Sequence, residues 1–158
     1  MSLTPQTIFD ELAATFPELA LTFDAAVPCV IVPAEGIRDV CLQLRDHAAY
    51  AFDTLMCLTG MDYGDGTLGV VYHLGSTPHK HTLTVKVLVP KETPSVPTVE
   101  KVWRTADWHE REAYDLIGIT FEGHRDLRRI LLPDDWEGHP LRKDYEVPEY
   151  YNGMKVPY

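Results

Sequence analysis

Apolar side chains recur with helical spacing at the start of the chain. Thr4 and Pro5 have the form of a helix cap followed by proline at the first helical position. Four apolar residues then return on one face of a helix: Ile8, Phe9, Leu12 and Phe16. The pattern predicts a first amphipathic helix that stops at Pro17, because proline cannot continue a helix.

A short strand and a second helix are predicted next. Residues 27–33, VPCVIVP, form an apolar run bounded by prolines, which is typical of a short strand. Helical spacing then returns in a second set of apolar positions: Ile37, Val40, Cys41, Leu44 and Ala48.

Three strand-like segments occupy the middle of the chain, at residues 52–63, 68–74 and 81–90. Asp65 and Gly66 form a turn signal between the first two segments. In the third segment polar and apolar residues alternate, which predicts one solvent-exposed and one buried face. The exposed face carries Thr82, Thr84 and Lys86, and the buried face carries Leu83, Val85 and Val87. The short connections favour antiparallel pairing.

A third helix is predicted at about residues 106–117, ended by Gly118. Its apolar residues share one broad side, and Asp107, Arg111 and Asp115 fall opposite. Glu110 projects into the apolar side, where an unpaired carboxylate is costly, so it needs an arginine, a backbone donor or a partner chain. A structural salt bridge is the favoured interpretation of Glu110, ahead of a general acid or base.

After Gly118 the pattern loses long periodicity and becomes rich in charges, glycines and prolines. We expect a compact domain at residues 1–118 and an extended interaction arm at residues 119–158 that builds no separate core. The predicted fold class is α+β: a two-layer sandwich with a mainly antiparallel or mixed sheet, helices and an extended C-terminal arm.

Composition excludes several classes of function. A formal net charge of -10 argues against a nucleic-acid partner. The three cysteines are widely spaced and form no CxxC pair, so we expect neither an iron-sulfur cluster nor structural zinc in this chain. No apolar run is long enough to cross a bilayer and the start has no secretion-signal pattern, so we expect a soluble, cytoplasmic protein without direct membrane insertion.

An imperfect echo marks the arm: EGHRDLRR at 122–129 and EGHPLRK at 137–143. Each copy places Gly and His before a Leu-Arg-basic step, so two turns can present a histidine and cations in related settings. Metal binding by His124 and His139 is the minority interpretation, because adjacent cations repel a metal and the spacing is not tight. A histidine group at residues 73–81 is likewise expected to be a loop feature.

The arm also interleaves cations, acids and aromatics, which is typical of a protein interface. Its cations are Arg125, Arg128, Arg129, Arg142 and Lys143, and its aromatics include Trp136, Tyr145, Tyr150 and Tyr151. The apolar triplet at residues 130–132 is expected to form a short strand or to anchor the arm on the core.

Residues 106–145, ADWHEREAYDLIGITFEGHRDLRRILLPDDWEGHPLRKDY, resemble the signature region of the 30 kDa subunit family of respiratory complex I, also called the C subunit of the proton-pumping NADH:quinone oxidoreductase. The upstream stretches LTGMDY and VVYHL resemble the family too, so the likeness covers most of the chain. Arg125 departs from the pattern, which commonly has proline after Gly-His.

The resemblance implies a non-catalytic scaffold subunit of the peripheral arm, docked on the large quinone-site subunit near the iron-sulfur subunit. NADH, quinone, FMN and iron-sulfur clusters then belong to the complex, and this chain binds no cofactor itself. The implied location is peripheral, on the cytoplasmic side of the inner (plasma) membrane.

The partner-binding residues that follow fall into two groups. Four orient the third helix: Glu110, Arg111, Glu112 and Asp115. The others form the docking surface of the arm: His124, Arg128, Arg129, Trp136, His139, Arg142, Lys143, Asp144 and Tyr145.

Two other functions stay open at this point. Relatives of the family occur in membrane-bound hydrogenases and in quinone reductases fed by other donors, and the sequence barely separates them from complex I. A metal-dependent hydrolase that uses His124, His139 and nearby acids is a more remote alternative.

Overall fold

A five-stranded mixed sheet forms the centre of the molecule, in a computed structural model that describes residues 3–156. Its strand order is β1-β2-β5-β4-β3, and only the β2–β5 pair is parallel. The strands are β1 (Thr22–Asp24), β2 (Cys29–Ile31), β3 (Thr54–Asp62), β4 (Thr67–Ser76) and β5 (His81–Pro90). The antiparallel β3–β4–β5 meander confirms the pairing expected from the short connections.

The first two helices form where the apolar spacing predicts them. In α1 (Pro5–Thr15) the Thr4 hydroxyl accepts a hydrogen bond from the Thr7 amide at 3.2 Å, which is the predicted cap. A single 3-10 turn at Ala34–Gly36 leads into α2 (Ile37–Asp46). Both helices bury their apolar residues in the core.

Alternation along β5 separates the two faces of the sheet. Leu83, Val85 and Val87 are buried in the core, and the residues between them are partly or fully exposed. The third helix, α3 (Ala106–Ile117), packs beside β3 on the core face, where Gly60 lies against Ala113. The result is the predicted α+β class, with three helices and one mixed sheet.

A two-stranded parallel pair was not foreseen from the pattern. The strand β6 (Ser95–Pro97) pairs with β7 (Thr120–Glu122), which follows Gly118 directly. Gly118 ends α3 in the left-handed conformation, with φ 80°, as predicted. Ile119 and Phe121 are buried in the main core, so the first residues of the arm pack with the compact part of the chain.

The rest of the arm contains little regular structure. Residues 130–132 form no strand, which corrects one of the two expectations for that triplet, because their amides bind a side chain of α3 instead. A small hairpin, β8 (Tyr150–Tyr151) and β9 (Met154–Lys155), turns at Asn152 and Gly153, both with positive φ. Residues 1, 2, 157 and 158 lie outside the described part, and the division at residue 118 stays a prediction.

Within residues 3–156, no helix is both long enough and apolar enough to span a bilayer.

Candidate functional site

The polar side of α3 is covered by the arm of the same chain. Asp107, Arg111 and Asp115, which the helical pattern places opposite the apolar residues, are all buried. Buried charges are costly unless they are paired and hydrogen-bonded, and each of these three binds a group of the arm. The interface between α3 and the arm is therefore the most organised polar region of the molecule.

Asp115 is the centre of this interface. Its Oδ2 accepts three backbone amides of the arm, from Ile130 at 3.0 Å, Leu131 at 2.8 Å and Leu132 at 2.9 Å. Its Oδ1 accepts Nη1 of Arg129 at 2.8 Å. Burial works to raise the pKa of Asp115, but these amides and the guanidinium outweigh burial and hold that pKa below its usual range. Asp115 is thus an ionised carboxylate with a full set of donors.

Arg111 fixes the same stretch of arm through its main chain. Its guanidinium donates to the carbonyl of Arg128 at 3.3 Å and to the carbonyl of Arg129 at 3.1 Å. It also lies over the ring of Trp108, 5.4 Å from the ring centre. Arg111 therefore joins the arm to an aromatic side chain that faces solvent.

The two Gly-His turns of the sequence echo make similar contacts with α3. Gly123 and Gly138 both have φ 79°, the left-handed conformation that glycine tolerates best. His124 Nε2 lies 3.2 Å from the carbonyl oxygen of Asp107, and His139 Nδ1 lies 2.9 Å from the carbonyl oxygen of Asp115. The echo thus corresponds to two turns that attach the arm at the two ends of the helix.

The second turn also binds the carboxyl end of α3, where carbonyl groups lack helical partners. Arg142 Nε donates to the carbonyl of Ile117 at 2.6 Å. A Cβ on Gly118 would lie 2.5 Å from the His139 ring, so glycine is needed there for space as well as for φ. Burial, followed by nearby arginines, lowers the pKa of His139 despite its bond to the carbonyl of Asp115.

Residues 143–145 attach the arm to the β3–β4 turn. The amide of Lys143 donates to Asp62 Oδ2 at 2.9 Å, and its ammonium group donates to the carbonyl of Tyr63, also at 2.9 Å. Asp144 forms an ion pair with Lys91 at 2.8 Å. These contacts hold the end of the GHPLRKDY stretch against the sheet.

The aromatic side chains of the arm form a small cluster of their own. Trp136 Nε1 donates to the hydroxyl of Tyr145 at 3.1 Å. The rings of Trp136 and Tyr151 lie 5.0 Å apart, and the hydroxyl of Tyr151 donates to Asp135 at 2.8 Å. The C-terminal hairpin is thereby held to the arm.

Glu110 has the partners that its apolar position required, but not the favoured salt bridge with an arginine. The hydroxyl of Thr98 donates to its Oε2 at 2.5 Å, and the amide of Val99 donates to its Oε1 at 2.8 Å. Burial is the main cause that raises the pKa of Glu110, to about 7, against the lowering effect of these two donors. The sequence reasoning missed Thr98, which lies in an irregular stretch without a helix or strand signal.

Four side chains form what we call the acid cluster: Glu100, Asp107, Glu110 and His124. His124 Nε2 lies 3.9 Å from Glu100, 3.4 Å from Asp107 and 3.8 Å from Glu110, measured to the nearest carboxylate oxygen. Arg125 pairs with Asp107 and lies 3.5 Å from Glu100. Arg125, the residue that departs from the family pattern, is therefore the cation of this cluster.

Geometrically, the ligand atoms of Glu100, Asp107 and His124 lie close enough to surround a metal ion. The hydrogen bonds do not fit one. The amide of Asp126 donates to His124 Nδ1 at 3.1 Å, so the ring hydrogen sits on Nε2, the nitrogen that faces the acids. A nitrogen that carries hydrogen cannot ligate a metal, and Arg125 already supplies the positive charge.

His79 and His81 bind backbone carbonyl groups and belong to no metal site among the described residues. His79 Nε2 and His81 Nε2 each lie 2.8 Å from a backbone carbonyl oxygen, those of Ala48 and Tyr50. Among residues 3–156, the three cysteines belong to no group of three or more potential ligand side chains.

The outer surface of the same region is apolar in places. Trp108, Leu131 and Leu141 are 63%, 62% and 59% exposed. Leu141 also lines a groove of about 190 Å³ between β3 and α3, together with Leu116 and Ala113. Exposed apolar side chains around a rigid polar framework are typical of a protein-binding surface.

The structure divides the predicted partner-binding residues into three groups by exposure. Glu110, Arg111, Asp115 and the ring of His124 are buried and bind groups of their own chain. Glu112, Arg128, Lys143 and Asp144 are exposed, and five are half-buried: Arg129, Trp136, His139, Arg142 and Tyr145.

Comparison with known proteins identifies the family. The model of the family described as "Respiratory-chain NADH dehydrogenase, 30 Kd subunit" matches residues 30–151. The C subunit of NADH-quinone oxidoreductase from Chlorobium phaeobacteroides is 52% identical over an alignment of 155 residues, and the match covers 95% of this chain and 93% of that protein. The corresponding C subunit from Chloroherpeton thalassium is 61% identical over 116 residues, and the match covers 73% of this chain and 48% of that longer protein.

Two solved structures are similar to this chain. One is the trypsin-resistant fragment (1-134) of Nqo5, with a TM-score of 0.60 and 31% identity over 78% of this chain and all of the fragment. The other is a chain of the membrane-bound sulfane sulfur reductase, an archaeal respiratory membrane complex, with a TM-score of 0.72 and 25% identity over 89% of this chain and 85% of that chain. The chain belongs to the 30 kDa subunit family of respiratory-chain NADH dehydrogenase.

Proposed function

We propose that this member of the 30 kDa subunit family is a scaffold subunit of the peripheral arm of a proton-translocating NADH:quinone oxidoreductase. It docks on the large quinone-site subunit and carries out no chemical step itself. NADH, FMN, quinone and iron-sulfur clusters act in other subunits, and the protein lies peripherally on the cytoplasmic side of the membrane. The names of its relatives and its match to the family support this proposal.

One observation carries the docking role: the arm is held on α3 by its own chain, and apolar side chains project outward from that framework. Asp115 and Arg111 order the main chain of residues 128–132 without any partner. Leu131 and Leu141, whose amides bind Asp115 and the carbonyl of Leu116, therefore point outward from fixed backbone positions. A preordered surface loses less entropy on binding than a disordered tail does.

The predicted residues then have two roles. The buried ones, Glu110, Arg111, Asp115 and His124, hold the arm in shape. The exposed Arg128, Lys143 and Asp144 meet the partner around the apolar centre and fix its orientation, because rim charges select partners and contribute less to affinity.

Co-purification from native membranes tests this docking surface. Leu131→Asp combined with Leu141→Asp places two charges at the apolar centre, and we expect the large subunit to be lost from the affinity-purified protein. Fold retention is checked by circular dichroism of the variant chain. Undiminished recovery of the large subunit with a folded double variant would contradict the proposed surface.

Val27→Asp is the matched control. Val27 is 64% exposed, as much as Leu131, but it lies in the β1–β2 turn at the sheet edge opposite to β3. We expect this variant to recover the large subunit at the wild-type level, which separates the position of the charge from its mere presence.

A second candidate keeps the scaffold role but changes the complex. The likeness to a chain of the sulfane sulfur reductase favours an equivalent subunit of a membrane-bound hydrogenase or other-donor quinone reductase as that alternative. Identification of the subunits that co-purify separates the two: NADH-binding and flavin-carrying subunits indicate complex I. The remote hydrolase alternative has no support from His124, because Nε2 carries the ring hydrogen.

A further inference from the structure

The acid cluster holds more negative charge than its partners balance. Three carboxyl groups, those of Glu100, Asp107 and Glu110, face one ring nitrogen of His124. The amide of Asp126 donates to the other ring nitrogen, which therefore acts as an acceptor. Arg125 is the cation that contacts two of the three acids.

One oxygen of this cluster also lacks a hydrogen bond within the described chain. Glu100 Oε2 is buried and has no donor, although Glu100 is 1% exposed. Arg104 also acts electrostatically on Asp107. Full ionisation of three carboxyls beside these two guanidinium groups would leave one uncompensated charge in the interior, which is costly. The arrangement is therefore completed by a proton.

We propose that the acid cluster is a proton-binding site, with the proton held on Glu110, and that release of this proton loosens the turn at residues 123–126 from α3. Glu110 is the carboxyl of the three with no exposed surface and no contact with Arg125. Its pKa, raised to about 7 chiefly by burial, agrees with this assignment.

Every element packed against Glu110 contributes to its surroundings. The connection after β6 supplies Thr98, the Val99 amide and Glu100; α3 supplies Asp107; and the arm supplies His124. Two further titratable groups, Cys41 on α2 and Tyr72 on β4, interact electrostatically with Glu110 from the core. Burial raises the pKa of both groups well above neutral, so both stay uncharged and cannot balance an ionised Glu110.

The turn at residues 123–126 is the side of the cluster that can open. Cys41 and Tyr72 belong to the fully buried core, whereas Arg125 is half exposed and Gly123 and Asp126 lie at the surface. Water that solvates an ionised Glu110 therefore has to enter where His124 and Arg125 meet Asp107. Proton loss and detachment of this turn are linked for that reason.

Limited trypsin digestion of the full chain measures the opening. Cleavage after Arg125 requires the turn to detach, and Glu110→Gln imitates the protonated carboxyl at every pH. We expect the ratio of wild-type to Glu110→Gln cleavage to rise about tenfold between about pH 5.5 and about pH 7.5, because opening releases the proton across this range. The ratio cancels the pH dependence of trypsin.

Cleavage after Lys155, exposed in the C-terminal hairpin, is the internal control and should give the same rate in both proteins at each pH. A pH-independent ratio for cleavage after Arg125 would overturn the proposal.

A second measurement holds even if the Glu110→Gln variant does not fold. In wild-type protein labelled with ¹³C at glutamate side chains, the Glu110 carboxyl should titrate near neutral pH. The signal is assigned through its correlation with the Glu110 backbone. Titration of Glu110 near 4.5, the ordinary value for a glutamate carboxyl, would equally overturn the proposal.

Discussion

Asp115 and Glu110 are two carboxyl groups of one helix, both with no exposed surface, yet their pKa values are shifted in opposite directions. Asp115 receives three backbone amides and a guanidinium, and its pKa stays below the ordinary range. Glu110 receives one amide and one hydroxyl, and its pKa rises to about 7. The comparison shows that the number and charge of donors, and not burial alone, decide whether an interior acid is ionised.

The two acids also have different structural roles. Asp115 is a permanent anion that orders the backbone of residues 130–132, which gives the arm its shape. Glu110 belongs to the acid cluster, where it binds and releases a proton. One helix thus carries a constant attachment at its carboxyl end and a pH-dependent attachment nearer its amino end.

The largest effect is expected at Asp115. Asp115→Ala leaves three backbone amides without their acceptor and Arg129 without its carboxylate partner, so we expect a loss of about 3–5 kcal/mol in the free energy of unfolding. Urea denaturation of the purified chain measures it. The exposed Asp134→Ala is the control and should change stability by less than about 0.5 kcal/mol. Equal effects of the two changes would refute the central role of Asp115.

The pH dependence of stability distinguishes Glu110 from Asp115 by sign. Because the pKa of Glu110 is raised from 4.5 to about 7, its stabilising proton is fully present below pH 4.5 and is lost as pH rises through about 7. The corresponding loss is at most about 3 kcal/mol. Asp115, with a lowered pKa, contributes in the opposite sense, and its stabilisation disappears as pH falls toward that pKa.

Glu110→Gln should remove the loss on the alkaline side. Denaturation of wild type and variant at about pH 5 and about pH 7.5 provides the comparison. If both proteins lose stability equally between these two conditions, Glu110 is not the group responsible.

Arg129 and Arg128 are adjacent arginines with different surroundings, and they sharpen the comparison at Asp115. Arg129 pairs with Asp115 and donates to the carbonyls of Trp136 and Gly138, whereas Arg128 is exposed and pairs with Asp126. We expect Arg129→Gln to cost about 2 kcal/mol and Arg128→Gln less than about 0.5 kcal/mol. Thermal denaturation of both variants checks the difference; a larger effect at Arg128 would reverse the assignment.

Removal of one donor from Glu110 should have the smallest effect. Thr98→Val deletes the hydroxyl that bonds Oε2, so we expect the pKa of Glu110 to rise further and stability at neutral pH to fall by about 1 kcal/mol. The ¹³C titration of Glu110 measures the pKa. Thr82→Val on the wet face of β5 is the control, and an unchanged pKa in Thr98→Val would show that the hydroxyl does not act on Glu110.

Local pattern was enough to predict much of the fold. The cap at Thr4, the three strand-like segments and the end of α3 at Gly118 all stand where the spacing placed them. These features depend on contacts between residues close in sequence, or on the alternation of buried and exposed positions. The parallel β6–β7 pair was missed because two three-residue strands carry no periodicity of their own.

The candidate functional site could be predicted from the sequence only in part. The sequence showed that Glu110 needed a partner and that the two Gly-His turns were alike. It did not show that Thr98 would be the donor to Glu110, or that Arg125 would pair with Asp107. Those partners lie 12 and 18 residues apart along the chain and meet only after the loops close.

What the sequence by itself determined is the family, the α+β class and the polar side of α3, since each follows from motifs or from periodic side-chain positions. Tertiary structure alone decided that this polar side is buried beneath the arm and that the pKa values of Asp115 and Glu110 shift in opposite directions. The physical reason is that a carboxyl group's state depends on donors and solvent brought to it by distant segments, and periodicity records only which side of its own helix it occupies.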